Sequence, residues 1–179
     1  MDIDFVVKLI KASETLTELP RTGYTLAGVC NAEKVSSHCF NVAFLVMLLG
    51  DQFEDLNIDR ALKMALIHDI PESLITDLPL ESKKFIDKDK AEIKAALELF
   101  NSNSEMNELF LEYKNGTTLE SMVVHDLDKL QMQVRAKIYE RAHNGDMSRF
   151  LFDPHKFKFQ ATQKAFEAFC KLDESTSKK

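Results

Sequence analysis

Two polar residues, His68 and Asp69, lie side by side where the apolar run "MALIHDIP" reaches a proline. A buried carboxylate costs several kcal/mol unless a cation or hydrogen-bond donors compensate its charge. A metal ion is one such partner. Adjacent helical side chains point about 100° apart, so the pair could share an ion only at an irregular helix end. Pro71 disfavours helical geometry at Ile70 and provides that irregularity. The pair alone also fits a simpler interpretation, in which His68 caps a helix and Asp69 faces water.

Two further apolar segments each place a polar residue on a face that is expected to be buried. His38 lies near the start of the apolar segment 35–49, where an imidazole needs a partner for each ring nitrogen. Taken alone, it is more often a satisfied core histidine. Asp128 lies on an apolar stripe with i, i+3, i+4 spacing, whereas Asp126 lies far round the same helix and is expected to be solvated. Three segments therefore present nitrogen or oxygen ligands inward.

The elements that must position these residues are predicted to be helices. The chain has five Gly and four Pro, and its apolar residues recur at helical spacing. We predict an all-α, single-domain helical bundle over residues 1–179, with about six to eight helices and a frayed tail at 172–179. The first predicted helix begins after Asp2 or Asp4, and residues 19–31 form a long connection. Further helices are predicted at 35–49, 58–69 after an Asn57 cap, 81–100, 104–113, 119–143, and from Asp153-Pro154 to Cys170.

Composition limits the classes of function. A chain of 179 residues can bury a sizeable core, and it has no run of about 18 apolar residues, so we expect neither a membrane span nor a secretory signal. Its three cysteines lack C-x-x-C spacing, which disfavours a disulfide framework or a thiolate zinc site. A net charge of -6 and a pI near 5.4 would repel nucleic acid. We therefore expect a soluble cytoplasmic protein without nucleic-acid or membrane partners.

The ordered pattern H…HD…D in an all-helical chain resembles the HD-domain metal-dependent phosphohydrolases. Four motifs are similar to those of one branch, the small 5'-deoxynucleotidases: "LPRTGYTLAGV", "EKVSSHCFNVA", "HDIPESLITDLP" and "DLDKLQM". The similarity covers roughly residues 5–140, and the four motifs in this order are more specific than any one of them.

The resemblance implies that His38, His68, Asp69 and Asp128 bind one divalent ion, with coordination positions left for water and substrate. Mn, Co, Fe, Ni, Zn and Mg all remain candidates for this mixed set of nitrogen and oxygen ligands. A second pair, His125-Asp126, could be mistaken for the defining one, but it leaves no downstream aspartate in a comparable helix.

Other roles also follow from the resemblance. Glu72 matches a residue that orients or deprotonates the attacking water, and Asp77 matches one that contacts the sugar and leaving-group side. Arg21 is the candidate phosphate ligand. Tyr24 stands where relatives carry tryptophan, so nucleotide selection is expected to change. Without the resemblance, Glu72, Asp77 and Arg21 would each be an ordinary first-turn, turn or surface residue.

Ser37 also departs from the family pattern, which commonly has an acidic residue before the first ligand. We expect this change to remove an acceptor for the N–H of an imidazole ligand, with an effect on metal affinity or preference.

The resemblance implies hydrolysis of a nucleoside 5'-monophosphate, with deoxyribose preferred, by a metal-dependent enzyme. A homodimer that buries part of segment 119–143 is also expected. Two alternatives stay open: an HD phosphohydrolase acting on another nucleotide or small phosphate ester, and a non-catalytic helical module whose ion is structural or absent.

Overall fold

The computed structural model describes residues 2–100 and 104–176, and within these ranges the chain is built from α-helices and short 3₁₀ turns. Seven of the described helices have ten or more residues, which agrees with the predicted all-α fold. The helices are α1 (Ile3–Glu18), α2 (Thr22–Leu26), α3 (Val35–Leu49), α4 (Ile58–Ile67), α5 (Glu72–Ile75), α6 (Lys88–Phe100), α7 (Ser104–Asn115), α8 (Leu119–Arg141) and α9 (Gln160–Thr176). None of these helices is long and apolar enough to cross a membrane.

Local sequence signals explain where several helices begin. The Asp2 carboxylate accepts a hydrogen bond from the Phe5 N–H at the start of α1, and the Asn57 side chain accepts one from Arg60 at the start of α4. Thr118 forms a capping box with Ser121 before α8. Such caps satisfy amide groups that the first helical turn leaves without partners.

Three predicted elements differ from the structure by more than two residues. The connection 19–31 contains the short helix α2. The predicted helix 81–100 begins only at Lys88, because residues 80–84 form a 3₁₀ turn. Asp153 caps a separate 3₁₀ turn rather than α9, which begins at Gln160 and continues to Thr176. Residues 177–179 of the polar tail lie outside the described ranges.

The centre of the fold is formed by α3, α4 and α8, which pack against one another. Val42, Val46, Met64 and Leu127 from these helices have no exposed surface. Burial of each such side chain contributes about 1.5–3 kcal/mol relative to exposure. The three helices also carry or adjoin His38, His68 and Asp128, so the packing of the core determines the relative positions of the candidate ligands.

The chain turns sharply after α4, as the proline predicted. Ile67 accepts a hydrogen bond from the Ile70 N–H, and Pro71 immediately precedes α5. The next turn contains Thr76 with φ 65°, a conformation that is strained for a β-branched residue. These two irregular points place Asp69 and Asp77 on either side of the short helix α5.

Asp126 corrects one expectation from the sequence. It was expected to be solvated, but it is fully buried, and its two carboxylate oxygens accept hydrogen bonds from Lys158 N at 2.8 Å and Phe159 N at 3.1 Å. Asp126 therefore ties the segment before α9 to α8. The side of α8 that carries Asp126 would face solvent in an isolated helix, but in the folded protein it contacts the segment before α9.

Candidate metal centre and active site

The structure brings the four predicted metal ligands together. The His38 Nε2 atom lies 3.3 Å from His68 Nε2, 3.1 Å from Asp128 Oδ1 and 3.6 Å from Asp69 Oδ2. The His68 Nε2 atom lies 3.3 Å from Asp69 Oδ2. His38, His68 and Asp69 each offer a ligand atom within 4.8 Å of the others. Side chains from α3, from α8 and from the turn after α4 thus surround one point.

Hydrogen bonds on the far side of each imidazole determine its orientation. The His68 Nδ1 atom lies 2.8 Å from the Ala65 carbonyl oxygen, which can only accept, so Nδ1 carries the proton. The His38 Nδ1 atom lies 2.7 Å from Gln131 Oε1, and the amide nitrogen of Gln131 donates to Glu33. This arrangement assigns the proton of His38 to Nδ1 as well. In their neutral forms, both rings present an Nε2 lone pair to the centre.

The centre needs positive charge, because two nitrogen lone pairs and two carboxylates face one another. Without an ion, protons fill this role. Burial opposes a charged His68, but Asp69 and then Asp128 raise its pKa to about 9. Burial likewise opposes the charged form of Asp69, yet His68 holds the pKa of that carboxyl far below its usual range. A divalent cation compensates the same charges, and two imidazoles with two carboxylates suit such ions.

Arg21 lies next to this centre, in the short segment between α1 and α2. Its Nη1 atom is 3.1 Å from Asp69 Oδ2, and its Nε atom is 4.0 Å from Asp77 Oδ2. Asp77 is held in turn by the Thr22 N–H, which donates to Oδ2 at 2.7 Å. Burial lowers the pKa of Arg21, but Asp69 and Asp77 outweigh it and raise the pKa above its usual value. The guanidinium therefore stays charged and lies close enough to contact a phosphate at the centre.

Glu72 is a buried carboxyl beside the same centre. Its Oε1 atom lies 3.6 Å from Lys88 Nζ, and its side chain is 3% exposed. Burial raises the pKa of Glu72 to about 10, and Asp69 and Asp77 add to the shift. Added positive charge nearby would lower this pKa and favour the carboxylate, the form that can accept a proton.

Two adjoining cavities meet at four residues, namely Arg21, Asp77, Lys83 and Lys88. The first cavity is lined by His68, Asp69, Glu72 and Asp128 among others. The second cavity is lined mainly by apolar residues, which include Leu78, Pro79, Leu80, Met132 and Phe150. A charged group could occupy the first cavity while an attached apolar or aromatic group occupies the second.

Tyr24, predicted to contact substrate, forms part of the wall of the second cavity. Its side chain is almost completely buried, and its hydroxyl donates to the Met132 carbonyl oxygen at 3.0 Å. Its ring packs against Phe150 with a centroid distance of 4.7 Å. Tyr24 thus supports the shape of this cavity and exposes little surface to it.

The second His-Asp pair is engaged elsewhere. The His125 Nε2 atom lies 2.8 Å from the Tyr113 carbonyl oxygen, and Asp126 binds the segment before α9. His125 does line the first cavity, but its Nε2 points to a main-chain acceptor. This geometry separates the pair 125–126 from the four converging side chains.

Three residues near the centre, Gln131, Glu33 and Lys88, were missed from the sequence. Ser37 does not leave His38 without an acceptor, because Gln131 provides one. Gln131 lies three residues after Asp128, so helical spacing could have placed it on the same face. Glu33 precedes α3 and gave no periodic signal. Lys88 gave none either, because its approach to Glu72 depends on the course of residues 80–87.

Comparisons with known proteins find a matching family model and similar chains. The family model of the HD domain matches residues 13–169. The 5'-deoxynucleotidase hdd1 of Schizosaccharomyces pombe is 33% identical over 157 residues, covering 81% of this chain and 78% of the relative. The 5'-deoxynucleotidase HDDC2 of Xenopus laevis is 32% identical over 142 residues, which cover 75% of this chain and 69% of that relative. A conserved hypothetical protein from Pyrococcus furiosus superposes with a TM-score of 0.82 at 34% identity, over 92% of this chain and 99% of that chain.

We expect divalent ions to stabilise the protein through the four converging residues. Mn²⁺ or Co²⁺ at 100 times its dissociation constant should raise the free energy of unfolding by about 2.7 kcal/mol. Asp128→Asn should remove most of this increase, because it replaces a carboxylate facing the centre. The measurement is urea unfolding with and without the ion.

Asp126→Asn is the matched control, because it makes the same change two residues away on α8 at a carboxylate that faces the segment before α9. It should lower the basal stability but keep the increase caused by the ion. An ion effect that disappears with Asp126→Asn and survives Asp128→Asn would contradict the assignment.

Proposed function

The chain belongs to the HD-domain family, and from this membership we propose that it is a metal-dependent phosphohydrolase acting on nucleoside 5'-monophosphates, with deoxyribonucleotides preferred. The observation that carries the proposal is the convergence of two imidazoles and two carboxylates beside a charged Arg21 and a buried Glu72. The names of the two curated relatives support the choice of substrate.

His38, His68, Asp69 and Asp128 are the proposed ligands of one divalent ion. Such an ion, when bound, supplies a Lewis acid and lowers the pKa of water. The nitrogen and oxygen ligands suit Mn, Co, Fe, Ni, Zn or Mg, and the identity of the ion stays open.

The remaining residues move the proton and stabilise charge. Glu72 accepts a proton from the attacking water, since its carboxyl lies in the same cavity as the ligand carboxylates. Arg21 contacts the phosphoryl oxygens, because its guanidinium already lies 3.1 Å from a ligand carboxylate and can form two parallel hydrogen bonds. Asp77 holds the segment that carries Arg21 and faces the leaving-group side. The products are a nucleoside with a free 5'-hydroxyl and inorganic phosphate.

The second cavity supports a nucleoside as the leaving group. Its apolar walls, with Phe150 and Met132 among them, suit a base and a sugar. A ribose 2'-hydroxyl buried against such walls without a hydrogen-bond partner loses water contacts at a cost of about 1–3 kcal/mol. A deoxyribose avoids this cost. Tyr24 contributes to selection by packing against Phe150 in the wall of this cavity.

A substrate panel tests the proposed reaction. Metal-stripped protein supplied with Mn²⁺, Co²⁺, Zn²⁺ or Mg²⁺ should release phosphate from deoxyribonucleoside 5'-monophosphates faster than from their ribose counterparts. Asp69→Ala should reduce release to background, because it removes a proposed ligand and the partner of Arg21. Phosphate release that survives metal stripping would contradict the proposal. No release from any nucleotide would favour another phosphate ester or a non-catalytic module.

Glu72→Gln separates proton transfer from ion binding. The substitution keeps the shape of the side chain but removes its ability to accept a proton, so kcat should fall by about 10²- to 10⁴-fold. The stabilisation by ions should remain. The measurement is steady-state kinetics together with urea unfolding in the presence of the ion.

Glu98→Gln makes the same change at an exposed position of α6 that lines neither cavity, and it should leave kcat unchanged. If kcat of Glu72→Gln stays within about threefold of the wild-type value, well below the contribution of a general base, the proposed role of Glu72 is wrong.

We also propose a homodimer, but through α3 rather than through segment 119–143. Among the described residues of α8, Ile138 is the one large apolar residue that is strongly exposed, with 41% of its surface accessible. In contrast, α3 exposes Phe40, Phe44, Met47 and Leu48 on adjacent turns, and the rings of Phe40 and Phe44 stack. An exposed apolar patch of this kind is typical of an interface.

Light scattering after gel filtration should therefore give twice the chain mass of 20.5 kDa. Phe40→Glu should shift the protein to the monomer, because the charge would be buried without a partner in the dimer. Ile138→Glu on α8 is the control and should remain dimeric. A monomeric wild type, or dissociation by Ile138→Glu alone, would contradict the assignment to α3.

The organisation of residues 1–179 as one domain, and the cytoplasmic location, stay predictions from the sequence.

A further inference from the structure

A buried chain of hydrogen bonds leads from His38 away from the two cavities. The His38 Nδ1 atom lies 2.7 Å from Gln131 Oε1, and Gln131 Nε2 donates to Glu33 Oε1 at 2.7 Å. The same Glu33 oxygen accepts a hydrogen bond from Arg135 Nε at 3.0 Å and lies 3.0 Å from Arg135 Nη2. The chain therefore ends on an ion pair between Glu33 and Arg135.

The two middle members of this chain have no direct access to substrate. Gln131 is 4% exposed and Glu33 is 7% exposed. Neither residue lines either of the two cavities that adjoin the centre. Any effect they have on the reaction must therefore act through His38 or through the backbone.

The contact between Glu33 and Arg135 determines which way each hydrogen bond of the chain points. The Glu33 Oε1 atom accepts a hydrogen bond from Arg135 Nε, and a guanidinium can only donate, so this oxygen is an acceptor. The Gln131 amide must then turn its NH₂ group to Glu33 and its oxygen to His38. As a result, the His38 ring donates from Nδ1 and leaves its Nε2 lone pair toward the ligand carboxylates. A reversed amide would favour the opposite tautomer, whose Nε2–H could not bind an ion.

His68 differs from His38 in this respect. Its Nδ1 atom faces the main-chain carbonyl of Ala65, so no side chain sets its tautomer. Of the two imidazoles at the centre, His38 is the one whose Nδ1 partner is a side chain.

The backbone of Glu33 makes a second connection. Its carbonyl oxygen accepts a hydrogen bond from the Arg21 N–H at 2.8 Å, and its own N–H donates to the Tyr139 hydroxyl at 2.8 Å. Glu33 thus joins the segment that carries the candidate phosphate ligand to the side chain that orients an imidazole.

We propose that Gln131 and Glu33 are positioning residues, which hold His38 with its proton on Nδ1 and its Nε2 atom available to a divalent ion. The proposal deepens the proposed function and rests on it for the identity of the site. Residues of this kind behind a metal-ligating histidine typically change metal affinity by about 10- to 100-fold when they are replaced.

The first test compares two glutamines on α8. Gln131→Leu should weaken Co²⁺ binding by about 10- to 100-fold in equilibrium dialysis, because the His38 ring loses its acceptor. Gln133→Leu is the matched control, since Gln133 is also buried but donates to the Phe152 carbonyl. It should leave the affinity unchanged. Circular dichroism confirms that both variants are folded, and equal affinities in the two variants would overturn the proposal.

An exchange of the two side chains distinguishes positioning from simple packing. Gln131→Glu alone should weaken Co²⁺ binding, because it places a second carboxylate against Glu33. Combining it with Glu33→Gln restores one amide and one carboxylate in reversed order, so the two side chains no longer repel each other and His38 keeps an acceptor. The double variant should recover most of the lost affinity. A double variant that binds Co²⁺ no better than Gln131→Glu would overturn the proposal.

A nuclear magnetic resonance measurement tests the positioning independently of activity and of bound metal. In ¹⁵N-labelled metal-free protein, the proton on His38 Nδ1 should give a signal protected from exchange, assigned by its loss in His38→Asn. The signal should disappear in Gln131→Leu and remain in Gln133→Leu, while the Nδ1 proton of His68 remains in both. A His38 signal that persists in Gln131→Leu would overturn the proposal. A wild type that binds no ion and releases no phosphate would instead overturn the proposed function.

Discussion

The structure depends on one electrostatic constraint, which is that two imidazole nitrogens and two carboxylates are brought together around one point. The His38 Nε2 atom lies 3.1–3.6 Å from His68 Nε2 and from one oxygen of each carboxylate, and His68 Nε2 lies 3.3 Å from Asp69 Oδ2. In the low dielectric of a protein interior such an arrangement repels itself unless protons or a cation supply positive charge. The raised pKa of His68 and the lowered pKa of Asp69 are two results of this single requirement.

The rest of the fold holds these four groups in place. The tight packing of α3, α4 and α8 prevents them from moving apart, and the turn at Pro71 directs Asp69 back toward the centre. Arg21 and Lys88 then bring positive charge to the edge of the site. The two ligand carboxylates, together with Glu72 and Asp77, would otherwise repel a phosphate. The positive charges of Arg21 and Lys88 are therefore needed for an anionic substrate to enter.

The sequence predicts the parts of the site that depend on short-range signals. Apolar periodicity predicted most of the helices, and the break at Pro71 predicted the position of the irregular turn. Ordered motifs predicted which four side chains would converge. The confirmed resemblance to the HD-domain family came from those motifs and could not have come from composition.

Long-range contacts account for what the sequence did not predict. Asp126 was expected to face water because the position of the segment before α9 cannot be read from α8 alone. Gln131 was missed because a glutamine on a helix face becomes informative only when His38 from another helix lies against it. Lys88 reaches Glu72 because residues 80–84 form a 3₁₀ turn where a continuous helix was expected. Each of these residues has a role set by a partner distant in sequence.

The most direct test of the central claim is anomalous X-ray diffraction from crystals grown with Mn²⁺ or Co²⁺. The account predicts one strong anomalous peak within about 2.0–2.3 Å of His38 Nε2, His68 Nε2, an Asp69 oxygen and an Asp128 oxygen. A peak bound by other carboxylates, such as those of Asp89 and Glu92, which also line the first cavity, with the four residues still paired to one another, would contradict it.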